Sequence, residues 1–243
     1  MKVKVGFTPV DEVEAPLGIV IDVLRATSTI CQALASGYER VICVGEIDDA
    51  RALAGPGVAL AGERGNFRID GFDFGNSPRE FEPRSQRHLR DISEIAYSGS
   101  DPKTRLVLTT TNGTRLLLSA AARCDEVLVA SLLNLDAVVA AARDADEVAI
   151  LCAGVERAFA IDDAYVAGRI AAALGGEPDD SAVAATRLAG AFATAEEGIG
   201  GGISAANIRK AHLDADIPFC ARESVLDFVP RVVARSETSV EIA

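Results

Sequence analysis

Seven short apolar runs, interrupted only by Lys4 in the first, constrain the fold of this chain more than any other feature. They occupy residues 3–7, 18–21, 41–44, 58–61, 106–108, 127–130 and 148–152. Such runs read as strands covered on both faces, because a half-exposed strand would alternate apolar and polar side chains. Segments of helical character separate several of them, at 28–35, 115–122, 135–142 and 164–174. Strands and helices in alternation point to an α/β protein, with a mostly parallel or mixed sheet carrying helices on both faces. Residues 18–44 and 106–130 each run strand, donor-rich turn, helix and strand, and read as a recurring βαβ unit. One domain over residues 1–243 is expected, with an α/β part at 1–153 and a helix-rich part at 154–243 that finishes in a strand near 231–234.

Two stretches break this rhythm. Residues 63–103 are polar, opening with GERGNFRIDGFDFGNSP and continuing as a charged, helical insert around 84–100. Residues 196–204, EEGIGGGIS, read as a mobile glycine-rich connection. They are no phosphate loop, since no strand precedes them and no Gly-Lys-Ser/Thr follows.

About half the residues are hydrophobic, at 49%, so a substantial core forms without disulfides or structural metal. The net charge of −12 repels nucleic acid and anionic membranes, and neither is expected as a partner. An anionic substrate must therefore be met by local arginines or a bound cation. Cys31, Cys43, Cys124, Cys152 and Cys220 lie mostly within apolar runs, are odd in number and form no C-x-x-C pair. They read as buried thiols of a reducing cytoplasm. The opening MKVKVGF alternates like a strand and is no signal peptide, and no apolar run is long enough to span a bilayer. A soluble cytoplasmic protein is expected, with self-association into a homo-oligomer left open.

The chemistry concentrates at strand ends. RLVLTTTNGT, at 105–114, is a strand opening into Thr109, Thr110, Thr111, Asn112, Gly113 and Thr114, with a helix directly behind. Free backbone N–H groups and the positive end of a helix dipole suit an oxyanion, and Gly113 would let the backbone approach it closely. A second version, VIDVLRATST at 20–29, ends a strand in Asp22, Arg25, Thr27 and Ser28. Two anion pockets on one sheet edge point to a small, multiply charged substrate. Asp22 lies at the carboxyl end of a buried strand, where ligands bind in open parallel sheets. It is a metal ligand, a nucleophile or a helix cap. Arg25 offers the planar fork that suits phosphate or sulfonate.

Glu63 and Arg64 end another strand and supply one metal ligand and one anion clamp, or else a surface ion pair. Asn76 and Ser77 are donors ahead of Pro78, or parts of a simple turn. Asp162 and Asp163 open a helix and either cap it or reach the same sheet edge. Asp22, Glu63, Asp73 and Asp163 are hard oxygen ligands of the kind magnesium takes, and no His or Cys cluster favours zinc. His88 and His212 sit in polar, helical segments and read as solvated. There is no G-x-S-x-G elbow and no G-x-G-x-x-G after any strand. Asp22-Val23-Leu24 lacks the second aspartate of the haloacid dehalogenase type of phosphatase.

In order along the chain, VIDVLRATSTI, GER at 62–64, GFDFGNSP, TTTNGT, DEVLVASLLN, CAG at 152–154, IDDAYVAG and DIPFC with the later Val229-Pro230 resemble the 2-phosphosulfolactate phosphatase (ComB-like) family. The resemblance spans residues 18–230. It implies an α/β/α fold and magnesium-dependent hydrolysis of 2-phospho-3-sulfolactate to 3-sulfolactate and phosphate, a step of coenzyme M biosynthesis. The family has Glu-Asp where this chain has Asp162-Asp163. On this reading magnesium is held by Asp22 with Glu63 or Asp163, and Arg25 and Arg64 grip the anionic groups. Thr27, Ser28, Asn76, Ser77, Thr111, Asn112, Gly113 and Thr114 bind the remaining oxygens. Rival readings are a phosphatase for another small phosphorylated acid, a non-catalytic anion-binding protein and, third, a nucleotide-dependent oxidoreductase.

Overall fold

The seven apolar runs all form strands. The computed structural model describes residues 1–82 and 104–243. The helical insert expected at 84–100, with His88, lies outside the described residues. The first half contains β1 (Lys2–Gly6), β2 (Leu17–Ile21), α1 (Ala26–Ala35), β3 (Arg40–Val44), α2 (Ile47–Ala52), β4 (Val58–Arg64) and β5 (Phe67–Arg68). Next come β6 (Arg105–Thr109), α3 (Gly113–Arg123), β7 (Glu126–Ala130), α4 (Leu135–Ala142) and β8 (Glu147–Cys152). The last third holds α5 (Ile161–Leu174), β9 (Glu177–Pro178), α6 (Asp180–Ala189), α7 (Ala195–Gly200), α8 (Ile203–Lys210), α9 (Asp216–Cys220), β10 (Val232–Arg235) and β11 (Ser239–Ile242).

The strands divide between two sheets. The first runs β7-β2-β8-β1-β9 and is parallel throughout. The second runs β10-β11-β3-β6-β4-β5. Its centre, β3, β6 and β4, is parallel, whereas β5 and the β10–β11 hairpin add antiparallel edges. Helices α4, α5 and α6 cover the outer face of the first sheet, and α2 covers the outer face of the second. The architecture is the expected α/β/α layering, extended by the second sheet.

The segments 18–44 and 106–130 keep their expected order of elements, but neither is a βαβ unit within one sheet. Helix α1 carries the chain from β2 in the first sheet to β3 in the second, and α3 carries it back from β6 to β7. Both helices pack between the sheets. The composition of α1, ATSTICQALA, explains this placement. Eight of its ten residues are buried, because small and apolar side chains all round a helix allow a sheet on either side. The in-sheet crossovers through a described helix are instead β3–α2–β4, β7–α4–β8 and β8–α5–β9. One core fills the space between the sheets around Ile30, Leu117 and Leu133, and another lies under α4 to α6 around Ile19, Leu128 and Ile170.

The stretch 196–204 is not a mobile connection. It spans most of α7 and the start of α8. Thr194 caps α7, its Oγ1 accepting from Glu197 N at 3.2 Å, while Glu197 Oε2 accepts from Ala193 N at 3.0 Å. These two bonds fix a helix start through its side-chain cap, and they outweigh the low helical propensity of glycine. His212 is exposed, as expected, but sits just past α8 with φ 60°. All five cysteines are buried and free.

Candidate active site

The two donor-rich turns belong to different sheets, yet they meet. Because α1 and α3 lie side by side between the sheets, the carboxyl end of β2 faces the start of α3. Asp22 fills the junction. Its Oδ1 accepts from Ala26 N at 3.2 Å, at the start of α1, and the Gly113 N–H at the start of α3 also donates to its carboxylate. A Cβ built on Gly113 would lie 2.5 Å from Asp22 Oδ2 and 2.6 Å from Ala26 Cβ. Gly113 therefore makes room for Asp22, where a close approach to the ligand itself was expected.

A third helix start completes the convergence. Asp163, in the first turn of α5, accepts from Val23 N at 2.9 Å through Oδ1 and from Gly154 N at 2.9 Å through Oδ2. Asp162 beside it accepts from Ser204 Oγ at 2.9 Å. Burial raises Asp22 to about 6 against the N–H bond from Ala26, with the Glu63 charge adding to the rise. Burial likewise raises Asp162 to about 7, against the Ser204 bond and with Asp22 adding to it. Asp163 is pushed well above the usual carboxylate range by burial and by the charges of Asp162 and Asp22. Carboxylates crowded out of water hold protons or recruit a cation.

Glu63 and Arg64 are separated by the alternation of the strand. Glu63 turns into the same cavity, where Oε1 takes the Thr111 N–H at 2.8 Å and the Thr111 hydroxyl at 2.9 Å, and Oε2 takes the Asn66 N–H at 2.9 Å. Arg64 is not among the residues that line the cavity. Its guanidinium is held by the carbonyls of Glu63 and Gly45 and by Thr109 Oγ1. The expected second anion clamp is thus turned away from the cavity.

The other expected donors also separate into two groups. Arg25, Asn76, Thr111 and Asn112 border the cavity. Thr27, Ser28 and Thr114 are buried with their hydroxyls bonded within their own turns, to the carbonyls of Asp22, Val23 and Thr110. They shape the turns and do not line the cavity. Ser77 Oγ donates to Asp216 Oδ1 at 2.6 Å. Asp73 is not among the residues that line this cavity; it accepts from Leu60 N at 2.9 Å and borders a neighbouring one.

Sequence reasoning assigned no role to Asp216, Asn66, Ser204 or Asn207. Asp216 is fully buried, and its Oδ2 accepts from Arg25 Nη1 at 2.8 Å. Arg25 Nη2 donates to Asn66 Oδ1 at 3.3 Å. Asn66, Ser204 and Asn207 line the cavity. An acid in the otherwise apolar DIPFC was the available signal for Asp216. Ser204 fell within the stretch read as a mobile loop, and Asn207 lies just beyond it.

The cavity has a volume of about 100 Å³ and, among the described residues, is lined by the acids Asp22, Glu63, Glu156, Asp162 and Asp163 and by the guanidinium-bearing Arg25. Arg25, Asn66 and Asn76 also border a neighbouring cavity of about 640 Å³. Among the described residues, no three His, Cys, Asp or Glu side chains form a compact metal-binding group. The donors nevertheless fit magnesium, which is held by one or two carboxylates and completes its shell with water and substrate oxygens. Asn76 Oδ1 is buried without a hydrogen-bond partner among the described residues, and such an oxygen is satisfied by a donor or a cation.

A family model described as 2-phosphosulpholactate phosphatase matches residues 6–235. A protein of Thermus thermophilus named a probable 2-phosphosulfolactate phosphatase is 35% identical over 237 residues, covering 95% of this chain and 94% of its own. Its counterpart of the same name in Thermotoga petrophila is 36% identical over 233 residues, covering 95% of each chain. The 2-phosphosulfolactate phosphatase of Methanothermobacter thermautotrophicus is 36% identical over 215 residues, covering 88% of this chain and 85% of its own. With matches of this length and identity, the chain belongs to the 2-phosphosulpholactate phosphatase family.

Proposed function

We propose that this protein is a magnesium-dependent phosphatase that hydrolyses 2-phospho-3-sulfolactate to 3-sulfolactate and phosphate, a step of coenzyme M biosynthesis in the cytoplasm. The observation that carries this reading is the joint placement of Asp22, Asp162, Asp163 and Arg25 around one cavity where three helices begin. The names of the relatives supply the substrate. Five acidic residues lining a cavity that must take an anionic ester require a cation between them, and Asp22 with Glu63, Asp163 or Asp162 would hold magnesium. When bound, that ion supplies Lewis-acid polarisation of the phosphoryl oxygens and screens the substrate charge.

The remaining work falls to the chain. Arg25 pairs with phosphoryl or sulfonate oxygens through a charge-assisted bond. Thr111, Asn112 and Asn76 orient the other polar groups. Hydrolysis joins a water oxygen to phosphorus and breaks the bond from phosphorus to the 2-oxygen of sulfolactate, which leaves with a proton. Asp22 aligns this water, or it attacks phosphorus first to give an aspartyl phosphate, whose bond to the carboxylate breaks when water then joins phosphorus and phosphate departs.

Phosphate release from racemic phosphosulfolactate, measured with magnesium and again with EDTA, tests the proposal. Release that stops with EDTA supports it. Equal turnover of a phosphorylated acid lacking the sulfonate would transfer the activity to a broader substrate class. Tight binding of sulfolactate without turnover would leave an anion-binding protein.

A further inference from the structure

Arg25 is held by a residue far away in sequence. Asp216 and Arg25 stand 191 positions apart, and each side chain is 1% exposed. Asp216 uses one oxygen on the guanidinium and the other on Ser77 Oγ, at 2.8 and 2.6 Å. Asn66 takes the second Nη of the same guanidinium. Asn66 is in turn fixed by its own N–H on Glu63 Oε2. An arginine side chain has many rotamers, and an unrestrained one loses much of its freedom when it grips an anion. Here two of its nitrogens are already committed while the group borders the acidic cavity.

We propose that Asp216 is a positioning residue for the reaction, holding the Arg25 guanidinium in the orientation that meets the anionic substrate. The proposal rests on the reading of Arg25 as the anion clamp. It also explains why a buried acid stands directly behind the arginine that is to meet a negative substrate. A carboxylate at this distance from an anion site weakens binding through its charge alone, so its use there is to fix a cation. Ser77, from the GNSP turn, holds the carboxylate in place.

The two effects of Asp216 have opposite signs, which makes the test sharp. Removing its charge in Asp216→Asn tightens anion binding if only the net field matters, and weakens it if Arg25 loses its aim. We expect the magnesium-loaded variant to bind inorganic phosphate about tenfold or more weakly than wild type in calorimetry. Ser77→Ala should shift affinity in the same direction by less, and it decides the matter if Asp216→Asn does not fold. In an Arg25→Gln background, Asp216→Asn should add no further loss. Unchanged or tighter phosphate binding in a folded variant, the same loss without Arg25, or no phosphate binding by wild type would each overturn the proposal. Failure of wild type to hydrolyse phosphosulfolactate, with these phosphate affinities intact, would remove the proposed substrate and leave the role of Asp216 standing.

Discussion

The Cα of Gly113 and the carboxylate of Asp22 share a space with no room for a methyl group, since a Cβ on residue 113 would stand 2.5 Å from Asp22 Oδ2. The glycine belongs to one sheet's loop and the aspartate to the other's. Each therefore fixes the other's position at the seam. Gly113→Ala must displace Asp22 or the start of α3. Activity should fall by more than about tenfold, a barrier change of about 1.4 kcal/mol. Magnesium affinity should fall with it. Calorimetric titration with magnesium checks this. Undisturbed magnesium affinity, with only sulfolactate binding lost, would mean that Gly113 faces the ligand.

Asp22→Asn keeps the shape and, since asparagine caps as well as aspartate, should keep α1. Turnover should drop by about a hundredfold or more, about 2.7 kcal/mol in the barrier. Thermal unfolding without magnesium should not worsen, because one of several crowded buried charges has gone. Activity above about a tenth of wild type would assign Asp22 to capping alone.

The pH dependence of stability has a definite sign. Asp22 and Asp162 rise on folding from 3.8 to about 6 and about 7, so the folded chain binds protons more tightly than the unfolded one. Their contribution is full below about pH 4 and is lost as pH rises through about 7. Without added cation, the melting temperature should decline across this upper range. Magnesium should restore more stability at about pH 8 than at about pH 5, since its binding must displace protons. Melting curves at both pH values with and without magnesium test this. An equal magnesium effect at the two would separate the carboxylates from the metal.

Arg25 and Arg64 should behave differently when replaced by lysine. Arg25→Lys loses a planar fork already set by Asp216 and Asn66, and should cost about 1–3 kcal/mol of transition-state stabilisation. Arg64→Lys should leave kcat/KM within about threefold of wild type, because its partners are backbone carbonyls and Thr109 on the far side of the strand. Equal losses in the two variants would return Arg64 to the site.

Local sequence carried much of this architecture. Most of the central strands were legible because each is largely a continuous apolar run, as in LGIVI and EVAILC, whereas β5, β9 and β11 fall in no such run. Their division between two sheets was not, since Ile21 and Leu108 end equally apolar runs and only the pairing partners tell the sheets apart. The burial of ATSTICQALA on nearly every side was the one local hint of a helix between sheets. At the site, Asp22 and Arg25 stood out because strand-end charges are conspicuous beside apolar runs. Arg64 was misplaced because a tripeptide such as GER does not reveal which neighbour faces inward until the strand's pairing is known. The partnership of Arg25 with Asp216 is a long-range contact that no local pattern encodes.

The placement of α1 and α3 between the sheets also sets an order of events for a chain leaving the ribosome. Strand β2 emerges early, but its two neighbours, β7 and β8, begin at residues 126 and 147. Until they are made, both edges of a wholly apolar strand stay unpaired, a state exposed to misassociation and slow to resolve. Asp163 and Asp216 follow later still. The cavity thus forms only once the segments around Asp163 and Asp216 have been made, so activity reports on the joining of distant segments as much as on its chemistry.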